Sequence, residues 1–491
     1  MKRIQSLLTL LLTLALLTGC TTPAITTTVD TSTLTKPTFV DTTTTQQLPD
    51  TTPGTTPATP AGTTAPITTA TPEPPPPPPL DVDATVANIL TLIGEGETEP
   101  VVDATFIRFV YDTFGEAVLL SLQSALEASG YSRDLWYTVT GNTFFVLRDL
   151  YAGEAMADNI YLLSTGKPGS ENATTTLTFG GDICLADNYL TMEYMKKNGL
   201  SITDCIDPLL IAEMQSDDIT FMNNEFTISD RGKPMANKAY TFRAATANTA
   251  LYHTLGVDIV SLANNHAYDY GKDAFLDTLD TLKANGIEAI GGGKNLEEAM
   301  TPVYYIVNGR KIAYVAASRA EKYKLTPQAT ATAPGILRCY DTAKFLQVIR
   351  EAEANSDFVI ACVHWGTEYS DTLQKEQTST AREYIDAGAD LIVGAHAHQL
   401  QGVEYYEGKA IFYNLGNFWF NSYEIDTGLL KVELFHDGTT QNTFLPALQK
   451  NCTTSWQVCT DRGSSILSWM EAHSIGVRFD ENGVVTPKAA E

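Results

Sequence analysis

Residues 391–418 read LIVGAHAHQLQGVEYYEGKAIFYNLGNF, and this stretch indicates both the fold class and the position of a candidate ligand site. An apolar run ends at Gly394 and is followed directly by His396 and His398. Such a run predicts a buried parallel strand, and open α/β sheets bind their ligands at the carboxyl ends of such strands. Because the two imidazoles leave the strand together, they can converge on one cation or on two neighbouring cations.

The chain around this stretch alternates strand and helix patterns from residue 174 onward. Helices are predicted at 271–285 and 374–388, and antiparallel hairpins are predicted around an Asn-Gly turn at 308–309 and a Glu-Gly turn at 407–408. These patterns predict a mixed sheet, or two stacked sheets, flanked by helices. The predicted strands are TTTLTFGGD, DITFMNNE, DIVSLANNH, IEAIGGG, DFVIACVHWG and ADLIVGAHAH.

Polar side chains of the kinds that bind divalent cations follow these predicted strands. Four of the seven histidines lie at such positions, together with carboxylates and amides. One histidine of this kind is more often a hydrogen-bonded core residue, but the combination predicts a polar ligand site at one edge of the sheet. The strand-end residues are Asp182, Asn223, Glu225, Asn264, Asn265, His266, His364, Glu368, His396, His398, Asn414 and Asn417.

Seven motifs, in their order and spacing, resemble the CapA family of poly-γ-glutamate and capsule synthesis proteins. The resemblance covers about residues 172–425 and marks a distant member of the calcineurin-like metallophosphoesterase superfamily. It implies a four-layer α/β/β/α metallophosphatase-like sandwich with a divalent-metal centre of one or two ions, for which Mn, Fe or Zn is expected. The motifs are GGD, NNE, LANNHAYDYGKDAF, HWGTEY, AREYIDAGAD, GAHAH and NLGNF.

The same resemblance implies a role for each motif residue. Asp182 and His398 would bind the first ion, Glu225 would bridge the two ions, and the other ligands would bind the second ion. His266 would lie beside the centre as a catalytic acid or as a contact to phosphate. The six implied metal ligands are Asp182, Glu225, Asn265, His364, His396 and His398.

Two motifs depart from those of phosphoesterases. Their Asp-x-His motif reads Asp-Ile-Cys at 182–184, which removes one imidazole, and their Gly-Asp-x-x-Asp motif is replaced by Asn-Asn-Glu at 223–225. The lost imidazole implies a single metal or a weaker first site. Phosphoesterase activity therefore does not follow from the fold alone.

The first twenty residues, MKRIQSLLTLLLTLALLTGC, are typical of a secretory signal, with a basic start, an apolar run and a small-residue end. The apolar run, roughly fifteen residues long, is shorter than the span of about twenty that crosses a bilayer. Its LTGC ending resembles a bacterial lipobox. We therefore predict a lipoprotein signal peptide at 1–19, lipidation of Cys20, and a location at the extracellular face of the cytoplasmic membrane.

Composition divides the rest of the chain into three parts. Residues 20–80 are rich in Thr and Pro and cannot bury enough apolar area to fold, so they predict a disordered tether. Residues 81–168 carry apolar residues at helical spacing, with breaks at Gly130 and Gly141, and predict a small helical accessory domain for packing or partner docking. Residues 172–491 are predicted to form the CapA metallophosphatase-like domain.

The formal net charge of −26 argues against nucleic acid as the main partner, because an acidic protein and a polyanion repel each other. The expected partners are an anionic polymer or phosphoester substrate at a local patch, the membrane through the lipid anchor, and capsule-synthase membrane subunits. Lys238, Arg243 and Glu368 could contact an anionic substrate, although charged side chains are by default solvent-exposed.

Export to an oxidising compartment would permit disulfides. Cys452 and Cys459 lie close in sequence, so they either bridge a C-terminal loop or remain free. The other cysteines downstream of the tether lie in or beside apolar segments and are expected to be buried free thiols: Cys184, Cys205, Cys339 and Cys362.

Two functions from different classes follow from these observations. The first is a membrane-tethered extracellular accessory protein for synthesis or export of poly-γ-glutamate or another capsule polymer. The second is a secreted metal-dependent hydrolase that acts on phosphoester or amide bonds in cell-surface polymers. The sequence contains no G-x-S-x-G motif, so acyl transfer through a serine nucleophile is not expected.

Overall fold

The computed structural model describes residues 79–94, 101–153, 158–164, 174–320 and 325–488. The predictions of a signal peptide and of lipidation at Cys20 lie outside these described residues, as does all but the end of the predicted tether. The described residues from Asp81 onward belong to one compact unit.

Helices make up most of the N-terminal part of the described chain and alternate with strands after it. The carboxylates of Asp81 and Asp103 begin two helices by accepting hydrogen bonds from main-chain N–H groups of the first turn. Gly130 and Gly141, predicted as breaks, directly follow the third and fourth helices. The helices are α1 (Val82–Ile93), α2 (Ala104–Phe114), α3 (Glu116–Ser129), α4 (Leu135–Thr140), α5 (Phe144–Ala152), α6 (Leu190–Asn198), α7 (Ile202–Cys205), α8 (Pro208–Ser216), α9 (Ala250–Leu255), α10 (Lys272–Ala284), α11 (Leu296–Met300), α12 (Ala343–Glu353), α13 (Lys375–Asp386) and α14 (Asp461–Ala472).

The strands of the described residues form two large sheets and two small pairs. Each strand-like run named in the sequence analysis contains an observed strand. In chain order the strands are β1 (Ile160–Leu162), β2 (Thr175–Ile183), β3 (Ile219–Asn224), β4 (Thr227–Ile228), β5 (Arg243–Ala244), β6 (Ile259–Ser261), β7 (Glu288–Ile290), β8 (Gly292–Gly293), β9 (Val303–Val307), β10 (Arg310–Ser318), β11 (Gly335–Ile336), β12 (Phe358–His364), β13 (Leu391–Ala395), β14 (Leu400–Tyr406), β15 (Lys409–Leu415), β16 (Asn417–Trp419), β17 (Ile425–Leu434), β18 (Thr440–Lys450), β19 (Thr453–Trp456), β20 (Val477–Phe479) and β21 (Val484–Pro487).

Sheet 1 has seven strands in the order β1-β9-β10-β12-β13-β15-β14. Its central strands β10, β12, β13 and β15 run parallel. Sheet 2 has ten strands and follows the path β20-β21-β18-β17-β2-β3-β6-β7, with β16 paired to β2 and β19 paired to β18. Its strands β2, β3, β6 and β7 are also parallel, so each sheet has a parallel centre with an edge at which several carboxyl ends meet.

The two sheets stack face to face, with helices on both outer faces. The inner core combines Phe179 and Phe221 of sheet 2 with Tyr314, Ile360 and Phe412 of sheet 1. Helices α6 to α10 pack their apolar residues on the outer face of sheet 2, and α12 and α13 do so on sheet 1. This arrangement is a four-layer α/β/β/α sandwich, as the resemblance implied.

Two predicted hairpins set the register inside sheet 1. Strands β9 and β10 are antiparallel around Asn308 and Gly309, and β14 and β15 are antiparallel around Glu407 and Gly408. All four turn residues have positive φ, between 48° and 76°. Two-residue turns with positive φ at both positions match the twist of the paired strands, which explains why Asn-Gly at 308–309 is a strong hairpin signal.

The N-terminal helices pack against sheet 1. Strand β1, which lies within the predicted range 81–168 of the helical domain, pairs in parallel with β9. The hydroxyl of Thr143 donates to the carboxylate of Asp357 at 2.6 Å, and the buried side chains of Lys311 and Asp149 form an ion pair. The helical character of this region is confirmed, and its division into a separate domain stays a prediction.

None of the helices in the part of the chain that the structure describes combines the length and apolar character needed to cross a membrane. Neither Cys452 nor Cys459 is part of a disulfide in this structure, so the bridge that the sequence left open is not formed. The thiols of Cys184, Cys205, Cys339 and Cys362 are buried and free, as expected.

Candidate metal centre

The predicted ligands lie at the carboxyl ends of strands from both sheets. Asp182 is the register partner of Asn223 across β2 and β3, and Asn417 of β16 is its partner on the other side. In sheet 1, His364 ends β12 and is the register partner of Ala395, one residue before His396. Since the sheets are stacked, these ends meet and bring together residues that are distant in the chain.

Two overlapping groups of side chains could each hold a cation. Glu225, His364 and His396 form one group, and Asp182, Glu225 and His398 form the other. Within each group the ligand atoms all lie within 4.8 Å of one another, and every member is buried. Glu225 belongs to both groups, which is the position that the resemblance implied for a bridging carboxylate.

The Oε1 atom of Glu225 has the surroundings expected of a metal ligand. It is buried and has no hydrogen-bond partner among the described residues. Nε2 atoms of His364, His398 and His266 lie 3.6, 3.8 and 3.9 Å from it, too far for hydrogen bonds. Ligands about 2.1 Å from a tetrahedral cation lie roughly 3.4 Å from each other, so the His364 and His398 distances suit an ion held between them.

Asn265 supplies an amide oxygen to the same place. Its Oδ1 atom lies 2.8 Å from Nε2 of His364. Its main-chain oxygen accepts hydrogen bonds from Thr326 Oγ1 at 2.8 Å and from Lys238 Nζ at 2.5 Å, which hold the residue in position. All six residues implied as metal ligands are therefore brought together, and their carboxylate, imidazole and amide groups are of the kinds that bind divalent cations.

Two asparagines orient the candidate ligands. Asn417 Oδ1 lies 2.8 Å from Nδ1 of His398, a contact that leaves Nε2 of this imidazole facing the centre. Asn223 Nδ2 donates to Asp182 Oδ1 at 2.7 Å and lies 3.2 Å from Nδ1 of His364. Second hydrogen bonds of this kind set the tautomer and ring orientation of metal-binding histidines.

The backbone is strained where the ligands are presented. His396 has a φ of 95°, His398 a φ of 58° and Tyr369 a φ of 56°, all in a region that side-chain-bearing residues rarely adopt. The N–H of Tyr369 donates to the carbonyl of Ala397 at 2.8 Å, which ties its loop to the histidine turn. Gly394 precedes this turn, and a Cβ atom there would lie 1.9 Å from the carbonyl oxygen of Tyr413. Strain of this kind persists where the surrounding structure enforces a functional geometry.

Burial shapes the protonation of the candidate ligands. Burial, and then the charge of Asp182, raise the pKa of Glu225 well above its ordinary value. Burial, and then the neighbouring imidazole of His396, hold the pKa of His364 well below its ordinary value, so its ring is neutral and able to bind a cation. Burial lowers the pKa of His398, but hydrogen bonding to Asp182 and the charge of Asp182 together outweigh it and raise this pKa.

His266, the predicted catalytic residue, lies beside the centre and is held by two residues that the sequence analysis did not connect to it. Its Nδ1 atom lies 2.7 Å from Oδ2 of Asp269 and 3.3 Å from Nζ of Lys238. Lys238 and Asp269 form an ion pair with little solvent exposure. The three-residue spacing from His266 to Asp269 was the signal that could have identified the contact between these two residues.

Cys184 does not replace the missing imidazole. Its side chain lies in the apolar core between β2 and the helices that cover sheet 2, outside both candidate metal groups. Burial raises the pKa of its thiol well above the ordinary value, so the group stays protonated. The first metal position therefore has Asp182, Glu225 and His398 as its candidate side-chain ligands.

Three exposed tyrosines lie near the centre, and the sequence analysis missed them. Each is connected to a histidine of the centre directly or through one further aromatic ring. Tyr240, Tyr369 and Tyr423 expose 65, 51 and 57% of their surface. The ring of Tyr369 lies 5.7 Å from that of His398 and 6.5 Å from that of Tyr423. Tyr240 stacks on Phe242, whose ring lies 4.5 Å from that of His266. We call Tyr240, Tyr369 and Tyr423 the tyrosine rim.

The four-layer sandwich and the ligand set at its strand ends define a metallophosphoesterase-like protein. Residues 176–422 match the family described as bacterial capsule synthesis protein PGA_cap. The chain belongs to this family, which confirms the resemblance to CapA proteins.

Relatives with curated names agree with the family. The chain is 31% identical over 267 residues to the PGA biosynthesis protein CapA of Bacillus subtilis, covering 53% of this chain and 68% of the relative. It is 29% identical over 278 residues to the capsule biosynthesis protein CapA of Bacillus anthracis, covering 55% and 66%. The chain thus spans about two thirds of the length of each of these relatives.

A solved structure of a hypothetical protein from Thermus thermophilus aligns with a TM-score of 0.35 and 13% identity. The alignment covers 56% of this chain and 100% of that protein.

Proposed function

We propose that this protein is a membrane-tethered, extracellular component of poly-γ-glutamate or capsule polymer synthesis or export, with a centre for one or two divalent cations. Family membership and the names of the Bacillus relatives support the polymer. The N-terminal apolar segment, which ends in LTGC at residues 17–20, supports the lipid anchor at Cys20. The position of Glu225, shared by two groups of candidate ligands, carries the proposal of a metal centre.

The chain's own residues bind and orient the polymer at this centre. A divalent cation held there would supply Lewis-acid polarisation of a carbonyl or phosphoryl oxygen. Asp182, Glu225 and the imidazoles would hold the cation, and Asn417 and Asn223 fix the orientation of His398 and Asp182. The tyrosine rim presents ring faces and hydroxyl groups to the chain segments on either side of the bound group.

Elemental analysis of purified protein tests the metal centre. After dialysis against manganese and then against metal-free buffer, we expect wild type and the exposed-histidine control His253→Ala to retain the metal. We expect His396→Ala to lose it, because one imidazole of the second position is removed. Equally low metal in all three proteins would remove the metal centre from the proposal.

Complementation of a polymer-producing cell tests the polymer role. A strain that lacks its own copy of this protein should recover surface polymer with wild type and with His253→Ala, but not with His396→Ala. Cys20→Ser should release the protein from the membrane fraction, because it removes the acceptor of the lipid. Full polymer production by all variants would contradict a role for both the centre and the anchor.

A second candidate is a metal-dependent hydrolase of phosphoester or amide bonds in cell-surface polymers. The position of His266 supports this candidate. Its Nε2 atom lies 3.9 Å from Oε1 of Glu225, and its Nδ1 atom lies 2.7 Å from Oδ2 of Asp269, which orients the ring. In this role His266 would donate a proton to the leaving group. Turnover of a γ-glutamyl oligomer or a phosphodiester that is lost in His266→Asn with its metal content unchanged would support the hydrolase. No turnover by metal-loaded wild type would favour the accessory role.

A further inference from the structure

Two members of the tyrosine rim form an exposed aromatic pair next to the candidate metal centre. The rings of Tyr369 and Tyr423 lie 6.5 Å apart at an angle of 57°, and more than half of each residue's surface is exposed. The Tyr369 ring also lies 5.7 Å from that of His398, a candidate metal ligand. A ligand that covers this pair is therefore next to any group bound at the centre.

Buried amide side chains hold the loop that carries Tyr369. Gln377 and Gln401 are fully buried, and Nε2 of Gln377 donates to Oε1 of Gln401 at 2.9 Å. Nε2 of Gln401 in turn donates to the carbonyl of Ser370 at 2.9 Å. Together with the hydrogen bond from the Tyr369 N–H to Ala397, these contacts keep Tyr369 at its φ of 56° while its ring stays exposed. Strain that holds an exposed aromatic residue in place points to a functional position.

The loop of Tyr423 is held in the same way. Its N–H donates to Oδ1 of Asn421 at 2.9 Å, and Nε2 of the fully buried Gln449 donates to the same oxygen at 2.7 Å. Nε2 of Gln449 also donates to the Tyr423 carbonyl at 3.4 Å. Tyr369 follows β12 of sheet 1, and Tyr423 lies between β16 and β17 of sheet 2. The two loops thus present their tyrosines at fixed positions, and an ordered surface binds its ligand at a smaller entropic cost.

The surroundings of the pair disfavour an anionic group on the rings. Burial, and then Tyr423 and the charge of Glu368, raise the pKa of Tyr369 to about 12, so its hydroxyl is uncharged at neutral pH. The cation beside the centre, Lys238, has a side chain only 6% exposed and is already paired with Asp269. The net charge of −26 adds repulsion at longer range. A group that packs on the two rings is therefore expected to be uncharged.

We propose that Tyr369 and Tyr423 bind the uncharged main chain of a γ-linked polyglutamate, and that the carboxylates of the polymer point to solvent. The inference rests on the proposed function, which supplies this polymer. Each repeat of such a chain offers a flat amide group and methylene groups, which pack on ring faces as apolar surface. The tyrosine hydroxyls can donate to its amide carbonyls. An acidic protein thereby binds an acidic polymer without a cationic patch.

Calorimetric binding to the manganese-loaded full-length protein tests the inference. The probes are a short γ-linked glutamate oligomer, the same oligomer with its free carboxylates converted to amides, and a linear N-acetylhexosamine oligomer. We expect Tyr369→Ala and Tyr423→Ala each to weaken binding of both glutamate-derived oligomers by the same factor, about fivefold, because the lost contact is to the main chain. This factor should be equal at about 50 and about 500 mM salt, since salt does not screen contacts between uncharged groups.

Three comparisons separate ring contacts from other effects. Tyr369→Phe and Tyr423→Phe keep the ring and should bind within about twofold of wild type. Tyr137→Ala should bind like wild type, because Tyr137 contacts Asn308 before the start of β10, whose other end is the register partner of His364. The metal content and thermal midpoint of both rim alanine variants should match wild type, because neither tyrosine is a candidate metal ligand. Since the two tyrosines lie on separate loops, one alanine variant decides the question if the other does not fold.

The outcomes distinguish this inference from the proposed function. Equal binding of the acidic oligomer by wild type and both rim alanine variants would overturn the inference and leave the proposed function standing. The same holds for a loss restricted to the acidic oligomer, which would show that carboxylates are recognised, and for a loss restricted to the N-acetylhexosamine oligomer, which would make the pair a saccharide site. Binding of neither glutamate-derived oligomer by metal-loaded wild type would contradict the proposed polymer role, and main-chain recognition would fall with it.

Discussion

Oε1 of Glu225 and Nε2 of His364 face each other across 3.6 Å inside the protein, with no hydrogen bond between them. The carboxylate belongs to both candidate metal groups, whereas His364 belongs to one. The two residues are far apart in sequence, and only the stacking of the two sheets places them together. Loss of the shared carboxylate should therefore affect both candidate metal groups, whereas loss of an unshared ligand should affect only one.

Glu225→Gln should remove metal from both positions, because it replaces the shared carboxylate with a neutral amide. His398→Ala should weaken only the first position, since His398 is absent from the other group. We expect the metal content measured by elemental analysis to fall furthest in Glu225→Gln. A content in Glu225→Gln that equals that of His398→Ala would argue against a shared ligand.

The stabilisation by metal should grow as pH rises. Burial and Asp182 raise the pKa of Glu225, so the folded metal-free protein holds this proton more tightly than the unfolded chain does. By proton linkage, the free energy of unfolding of the metal-free protein decreases as pH rises through the raised pKa of Glu225. A bound cation takes the place of this proton, so the metal-loaded protein does not show this decrease. The increase in melting temperature on adding manganese should therefore be larger at about pH 8 than at about pH 5, and a constant increase would contradict this account.

Asp357→Asn should flatten the dependence of stability on pH. Burial raises the pKa of Asp357 from 3.8 to about 6, while its Oδ2 accepts hydrogen bonds from the Lys311 N–H and the Thr143 hydroxyl. Between these two pH values the folded protein binds more protons than the unfolded chain, so stability falls as pH rises. The amide keeps an acceptor without titrating. We expect a gain of up to about 3 kcal/mol at neutral pH, measured by urea unfolding.

The control for this experiment is Asp112→Asn, which changes an exposed carboxylate on α2. Its unfolding free energy should follow the wild-type curve from about pH 4 to about pH 7. A curve for Asp357→Asn that runs parallel to the wild-type curve would show that the buried carboxylate does not control the pH dependence.

Asp149→Ala should destabilise the contact between the N-terminal helices and sheet 1. It leaves the ammonium group of Lys311, 3% exposed, buried without its partner. Removing one member of a buried ion pair costs about 3–5 kcal/mol of unfolding free energy. The double variant Asp149→Leu with Lys311→Met should recover most of this loss, because the buried ammonium group of Lys311 is removed as well.

The matched control is Glu424→Ala, which breaks an exposed 2.7 Å pair with Lys450. Solvent and salt screen this pair, so the variant should unfold almost like wild type. Denaturant unfolding of the four proteins measures the comparison. Similar losses in Asp149→Ala and Glu424→Ala would show that the Lys311 contact is no stronger than a surface ion pair.

Local patterns predicted much of the fold. The Asn-Gly pair at 308–309 predicted its hairpin because few dipeptides accept positive φ at both turn positions. The run that ends at Gly394 predicted β13, and the helical pattern at 374–388 contains α13. The motif residues named as metal ligands do converge, because parallel strands place their carboxyl ends at a common edge.

Other features depended on contacts between distant segments. No local pattern indicated that Lys238 would pair with Asp269 beside His266, or that Tyr240, Tyr369 and Tyr423 would lie near the same centre. The proximity of Cys452 and Cys459 in sequence could not decide whether they bridge, since a disulfide requires a specific geometry of both backbones.

The sequence by itself determined the strands, the hairpin turns and the kinds of side chain at the strand ends, because these depend on periodicity and on backbone preferences within a few residues. Only the tertiary structure decided that Glu225 belongs to two candidate ligand groups and that Asp269 and Lys238 contact His266 beside them. These relations depend on how two sheets stack and how loops pack across them. Burial of the inner core stabilises that packing, and no single segment encodes it.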